Sequence, residues 1–227
     1  MSDIFREVDE DIRHEKYRRL WDRFGPWVIG VAVLIVVGTG GYRGWLYWHE
    51  QNAQQAGDTF LEAVSLSEAG NYDEAEKMFA TLNDATGGYP ALARMRSATD
   101  LGNAGNITEA VAAFDALSRD SAVPEPLRDI AALRAAFLAV DTQEYSAIAD
   151  RVEGLSGADS AFRAAAREVL ALSAWKSGDI DTARRWISDL DADQETPADV
   201  SRRVGLLNDV IRAKYGDAPS EKGEAAQ

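Results

Sequence analysis

Residues 69–82 read AGNYDEAEKMFATL, and two later stretches follow the same template: AGNITEAVAAFDAL at 104–117 and SGDIDTARRWISDL at 177–190. In each, a glycine and an Asn or Asp precede an apolar residue, Tyr72, Ile107 or Ile180. An alanine follows three residues on (Ala75, Ala110, Ala183), then Phe79, Phe114 or Ile187 at seven and Leu82, Leu117 or Leu190 at ten. An eroded copy starts at Tyr145 and runs through Ile148, Val152 and Leu155, with Asp141-Thr142-Gln143 in place of the glycine. Nine residues before each start stands an alanine: Ala63, Ala98, Ala136 and Ala171. The starts lie 35, 38 and 35 residues apart. Apolar residues three and four apart form one face of a helix, and a period near 35 marks stacked helical hairpins. Such a unit cannot bury its apolar face alone, so neighbours stack into a solenoid. The chain is therefore expected to bind something rather than transform it.

Breaks at Gly87-Gly88-Tyr89-Pro90, Val123-Pro124-Glu125-Pro126 and Ser156-Gly157-Ala158 separate the hairpins. They predict an all-α repeat domain over 49–195, with helices near 53–69, 72–85, 90–103, 107–119, 125–140, 143–154, 159–177 and 180–191. A last helix, within 196–216, sets Val200, Val204, Leu207 and Ile211 on one face and caps the array. Residues 217–227 have the composition of a disordered tail.

Outward toward the N-terminus, 18 residues from Gly25 to Tyr42 carry no charge. As a helix they cover about 27 Å, close to the hydrocarbon thickness of a bilayer. Trp21, Phe24 and Trp27 crowd one end, and Tyr42, Trp45, Tyr47 and Trp48 the other, as an interfacial aromatic belt does. Arg43 is placed to snorkel. A transmembrane helix over 25–48 follows. Arg6, Arg13, Lys16, Arg18, Arg19 and Arg23 precede the uncharged stretch, and Arg43 is the one Lys or Arg that follows it before Lys77. The positive-inside rule then puts the N-terminus in the cytoplasm and the repeats across the membrane. A cleaved signal peptide fits less well, because the basic region is long and acid-rich and no A-x-A-like site follows. Gly40 and Gly44 form one G-x-x-x-G, a pattern that serves weak helix pairing or is simply tolerated in lipid. Residues 1–24 set Phe5, Val8, Ile12, Tyr17, Leu20, Trp21 and Phe24 at helical spacing, as an amphipathic segment on the inner leaflet would.

Charge and composition close off other classes. The 227 residues carry a net −14, yet residues 1–48 are neutral, with seven basic and seven acidic side chains. The remainder holds 17 basic against 31 acidic residues, a surface that repels phosphate backbones and argues against nucleic acid. Cysteine is absent, and the only histidines, His14 and His49, flank the span. The repeats thus lack the usual general base, thiol nucleophile and zinc ligands. Ser173-Ala174-Trp175-Lys176 matches S-x-x-K without the K-T-G that would accompany it. Asp189, Asp191 and Asp193 imitate the start of a calcium loop, but Gln194 and Val200 stand where glycine and glutamate are needed. No enzyme, cofactor or metal is expected.

The 69–82 stretch and its copies resemble the tetratricopeptide repeat in the second helix of each hairpin. In the first helix Thr59, Arg94 and Arg167 stand where that family often has a large aromatic. Nearly the whole chain also resembles the ancillary Sec-translocon subunit family. The charged N-terminus, the single span, the junction Gly44-Trp45-Leu46-Tyr47-Trp48 and the later Tyr89-x-Ala91-Leu92-Ala93 carry that likeness. Those proteins sit in the inner membrane of Gram-negative bacteria with a periplasmic repeat domain. The resemblance implies a scaffold beside the translocon that hands emerging proteins to periplasmic chaperones. Its implied partners are translocon subunits, chaperones or emerging clients. The other reading is a structural adaptor in envelope assembly or division.

In stacked hairpins the first helices line the concave face. That phase marks Phe60, Val64, Leu92, Met95, Ile130, Leu133, Phe137, Val140, Leu172 and Trp175. Either they form an apolar groove for a partner segment or they pack between repeats as core.

Overall fold

The computed structural model describes residues 3–217, with side chains from Trp21 onward apart from residue 22. The expected tail at 218–227, and the side chains of the N-terminal amphipathic segment through Leu20, lie outside the described residues. Among those described, the chain is all-helical, with nine α-helices and no strand. They are α1 (Asp3–Glu68), α2 (Tyr72–Ala80), α3 (Tyr89–Asn103), α4 (Ile107–Arg119), α5 (Glu125–Ala139), α6 (Tyr145–Val152), α7 (Arg163–Lys176), α8 (Ile180–Ala192) and α9 (Ala198–Tyr215). The chain divides into two compact parts, residues 1–55 and 56–227.

Among the described residues the first part is helix throughout, from Asp3 on. The expected span at 25–48 and the first repeat helix at 53–69 are not separate elements, because α1 runs through both. The residues between them, His49-Glu50-Gln51-Asn52, include no glycine or proline, so nothing there ends a helix. Pro26 sits inside α1 at the start of the apolar stretch. The helix is long and apolar enough to cross a membrane.

In the second part each helix packs mainly on its chain neighbours, α3 on α4, α4 on α5 and α7 on α8, while α9 lies against both α7 and α8. The repeated alanines make this possible. Ala63, Ala98, Ala136 and Ala171 are wholly buried, and so are Ala75, Ala110, Ile148 and Ala183 on the returning helices. Side chains this small let two backbones approach closely. Phe79 and Leu82 fill a first core, Phe114, Leu117, Ile148, Val152 and Leu170 a central one, and Ile187, Leu190, Val204 and Ile211 a last one.

Three of the four hairpin turns share one device. Gly70, Gly105 and Gly178 take φ of +81°, +87° and +82°. In each the glycine N–H bonds back three residues and the following Asn or Asp N–H bonds back five, to Leu66, Leu101 and Ala174 carbonyls. This is the Schellman closure, which satisfies carbonyls left over at a helix end. The turn before Tyr145 has no such glycine. There α5 stops at Ala139, and the N–H groups of Thr142 and Gln143 both bond its carbonyl.

Other boundaries differ from expectation: α6 spans Tyr145–Val152 rather than 143–154, with its last turn tightened into a 3-10 helix at Glu153–Leu155. Helix α2 ends at Ala80 rather than 85, since the N–H groups of Thr81, Leu82, Asn83 and Ala85 each bond back only three residues and tight turns replace the last helical turn. Helix α7 begins at Arg163 rather than 159, because the Ser160 hydroxyl accepts the Phe162 N–H in a local turn.

Candidate protein-binding face

The first helices of the hairpins are the C-terminal end of α1, then α3, α5 and α7. Their contacts along the array recur in register. A residue four beyond each repeated alanine meets the residue two beyond the next one. Ser67 Oγ donates to Asp100 Oδ1 at 2.6 Å. A Cβ on Gly102 would lie 3.7 Å from Leu138. The same register sets Val140 beside Ser173 in sequence terms.

Of the ten expected first-helix residues, two are exposed and belong to no core cluster: Leu92 and Phe137, each 38% exposed. Met95 and Leu133 are buried, at 8% and 6% exposed, in the central core. Ile130 and Val140 are half-buried against that core. Phe60 and Val64 pack on the first core, with Phe60 against the rings of Phe79 and Tyr89 at 5.7 and 6.0 Å. Leu172 and Trp175 are half-buried on the last core. The ten thus form no single exposed strip. The open positions are Leu92 and Phe137.

Polar groups join the apolar ones on these helices. Arg96 donates to Ser67 Oγ from Nε and Nη2 at 3.0 and 2.8 Å and lies 3.4 Å from Asp100. Arg134, at the same repeat position, donates to Thr99 Oγ1 at 2.7 Å. These two cations stand in a domain that is otherwise acidic. The second carboxylate oxygen of Asp100, which is buried, has no partner.

The arginines that replace the family's aromatic close their own hairpins. Arg94 Nη1 donates to Asp120 Oδ2 at 2.7 Å, and Arg167 Nη1 to Asp193 Oδ2 at 3.2 Å. Both acids stand just past the second helix, with closely matching backbone angles. Arg163 adds a second, two-pronged hold on Asp193, at 2.6 and 3.2 Å. The Arg163 bonds and the Glu195 N–H pull the Asp193 carboxyl down to about 2. Arg94 and the Ala122 N–H lower Asp120 in the same way. The equivalent positions in the other repeats are Thr59 with Ala85 and Ala132 with Ala158, so no such bridge exists there. The signal was the spacing of 26 residues, which occurs in both bridged pairs.

Glu168 escaped the sequence reading. It occupies the repeat position filled by Phe60, Met95 and Leu133, and it is 4% exposed. Arg203 of α9 holds it, Nε to Oε1 at 2.5 Å and Nη2 to Oε2 at 2.7 Å.

In the first part of the chain, Trp21, Phe24, Trp27, Trp45, Tyr47 and Trp48 are all exposed, as is Arg43. Nothing lies within 4 Å of where a Cβ on Gly40 or Gly44 would sit. Among the described residues no group of His, Cys, Asp and Glu could hold a metal.

A family model described as a tetratricopeptide repeat-like domain matches residues 18–194. No curated protein and no solved structure matches the chain significantly.

Proposed function

The chain belongs to the tetratricopeptide repeat-like domain family, and from it we propose a membrane-anchored scaffold that binds proteins near the Sec translocon. The repeats face the periplasm, and the scaffold assists hand-over of secreted clients to chaperones. Proteins of this repeat class mediate protein–protein contacts, which fits stacked hairpins without catalytic groups. The observation that carries the reading is the exposed apolar stretch of α1, ringed by Trp21, Phe24 and Trp27 at one end and Trp45, Tyr47 and Trp48 at the other. Its Lys and Arg excess lies on the N-terminal side, which favours a cytoplasmic N-terminus. Residues 25–48 are the anchor, 49–195 the repeats and 196–216 the cap. Leu92 and Phe137 supply apolar contact, and Met95, Leu133 and their neighbours support them from beneath.

A photo-crosslinking amino acid at Phe137, in the full chain within intact membranes, tests this. Adducts with translocon subunits or periplasmic chaperones support the proposal. Adducts with division or wall-synthesis proteins favour the envelope-adaptor role instead. Absence of any adduct overturns binding through this face.

A further inference from the structure

Consecutive second helices are tied together at one repeated position, six residues after each start. In α6 that residue is Arg151, whose Nε and Nη2 donate to Asp115 Oδ1 and Oδ2 of α4, both at 2.8 Å. In α8 it is Trp186, whose Nε1 donates to Tyr145 Oη of α6 at 3.0 Å. In α4 it is Ala113, too short to reach α2. A cleft of about 310 Å³ opens there between α2 and α4, over α3. Its walls are mostly small or apolar, with Ala80, Ala113 and Ala116 beside Leu101, Leu117 and Phe79, and Asn83 and Ser97 add polar groups.

We propose that this cleft receives an aromatic side chain of a second protein, flanked by a basic residue. The occupant matches what the chain supplies to itself two repeats later, where Trp186 lies between α6 and α8. The volume suits one ring inserted from an extended segment, and a helix some 10–12 Å across is far too wide for it. Charge selects the flank. Arg94, the cation in the lining, is already held by Asp120 at 2.7 Å. Glu76 on the rim is exposed and forms no ion pair among the described residues. With 17 basic against 31 acidic residues after position 48, the surroundings attract a basic segment and repel an acidic one. This surface is separate from Leu92 and Phe137 and does not depend on them.

The test uses the full chain in lipid nanodiscs, methyl-labelled at alanine and leucine, titrated with an acetylated lysine-tryptophan-lysine amide. Saturable shifts are expected at Ala113, Ala116 and Leu117, with a dissociation constant on the order of 1 mM for so small a probe. Ala113→Trp, which builds in the residue that α8 carries, should abolish them. Glu76→Lys, at an exposed site that leaves the fold alone, should weaken the basic probe about tenfold and improve a glutamate-tryptophan-glutamate probe. Phe137→Glu should leave the titration unchanged. Shifts that are absent, that fall outside the cleft, that are lost with Phe137→Glu, or that are indifferent to both cleft variants would overturn the proposal.

Discussion

Glu168 and Arg203 lie 35 residues apart and meet at 2.5 Å, joining the buried face of α7 to α9. The Glu168 side chain is almost sealed from water, while the Arg203 side chain stays 53% exposed. The two ends of the pair therefore have different consequences when removed. Arg203→Ala strands a buried charge and is expected to lower stability by about 2 kcal/mol. Glu168→Leu leaves an arginine that water can solvate and restores the residue class of Leu133, so its cost should be under about 1 kcal/mol. Urea titration of the full chain in detergent, followed by helical circular dichroism, separates the two. Equal losses would mean that the pair does not work by burial.

Acid should loosen the last repeat first. The Asp193 carboxyl is held at about 2, below the roughly 4 of an unfolded chain. The stability this contributes is complete above pH about 4 and is lost as pH falls toward 2. Asp120, lowered by Arg94, acts in the same direction for the second repeat. Asp193→Asn should be less stable at neutral pH and should show a flatter decline between pH about 4 and 2. An unchanged acid slope would remove the bridge from the account.

Phe137→Glu and Met95→Glu should differ sharply. Phe137 is open and outside every core, so a charge there should shift the urea midpoint little while weakening crosslinks to partners. Met95 is buried among Ala98, Phe114 and Leu117, where a carboxylate costs several kcal/mol. The comparison is read by the same denaturation curves beside the crosslinking yield. If both variants unfold the chain, Phe137 is core rather than contact surface.

Gly178→Ala tests the turn closure. A side chain at φ +82° is strained by about 1 kcal/mol, so the variant should lose about that much stability. Thr142→Ala, in the one turn without positive φ, should lose far less, since its hydroxyl bond to Ala139 O is long, at 3.3 Å. Matching losses would show that the glycines are not used for their backbone freedom.

The hairpins were legible because alanine, phenylalanine and leucine at fixed offsets report burial directly: the alanines and the positions seven and ten beyond each start are buried, apart from Leu155, which like the four start residues is half-buried. The glycines were legible for the same local reason. What could not be read was anything set by two distant elements. Glu168 looks like one more surface acid until α9 brings Arg203 to it. Arg94 and Arg167 look like eroded aromatic positions until the ends of α4 and α8 present Asp120 and Asp193. The break expected after Trp48 failed differently: an interface aromatic marks where lipid ends, not where a helix ends. The ten first-helix residues share a phase, but phase alone cannot tell which of them a neighbour covers. Leu92 and Phe137 stay open while Met95 and Leu133 do not.

The bridged and unbridged hairpins alternate, and this gives the array a preferred order of opening. Arg94 with Asp120 and Arg167 with Asp193 clasp the second and fourth hairpins, whereas Ala132 and Ala158 leave the third without a clasp. That hairpin also has the shortest second helix, α6, and a turn with no Schellman glycine. Amide protons there should exchange with solvent soonest, ahead of those in α4 and α8. A chain built this way can change pitch at a single joint while the hairpins on either side keep their shape, much as a folding ruler bends only where its rivet is loose.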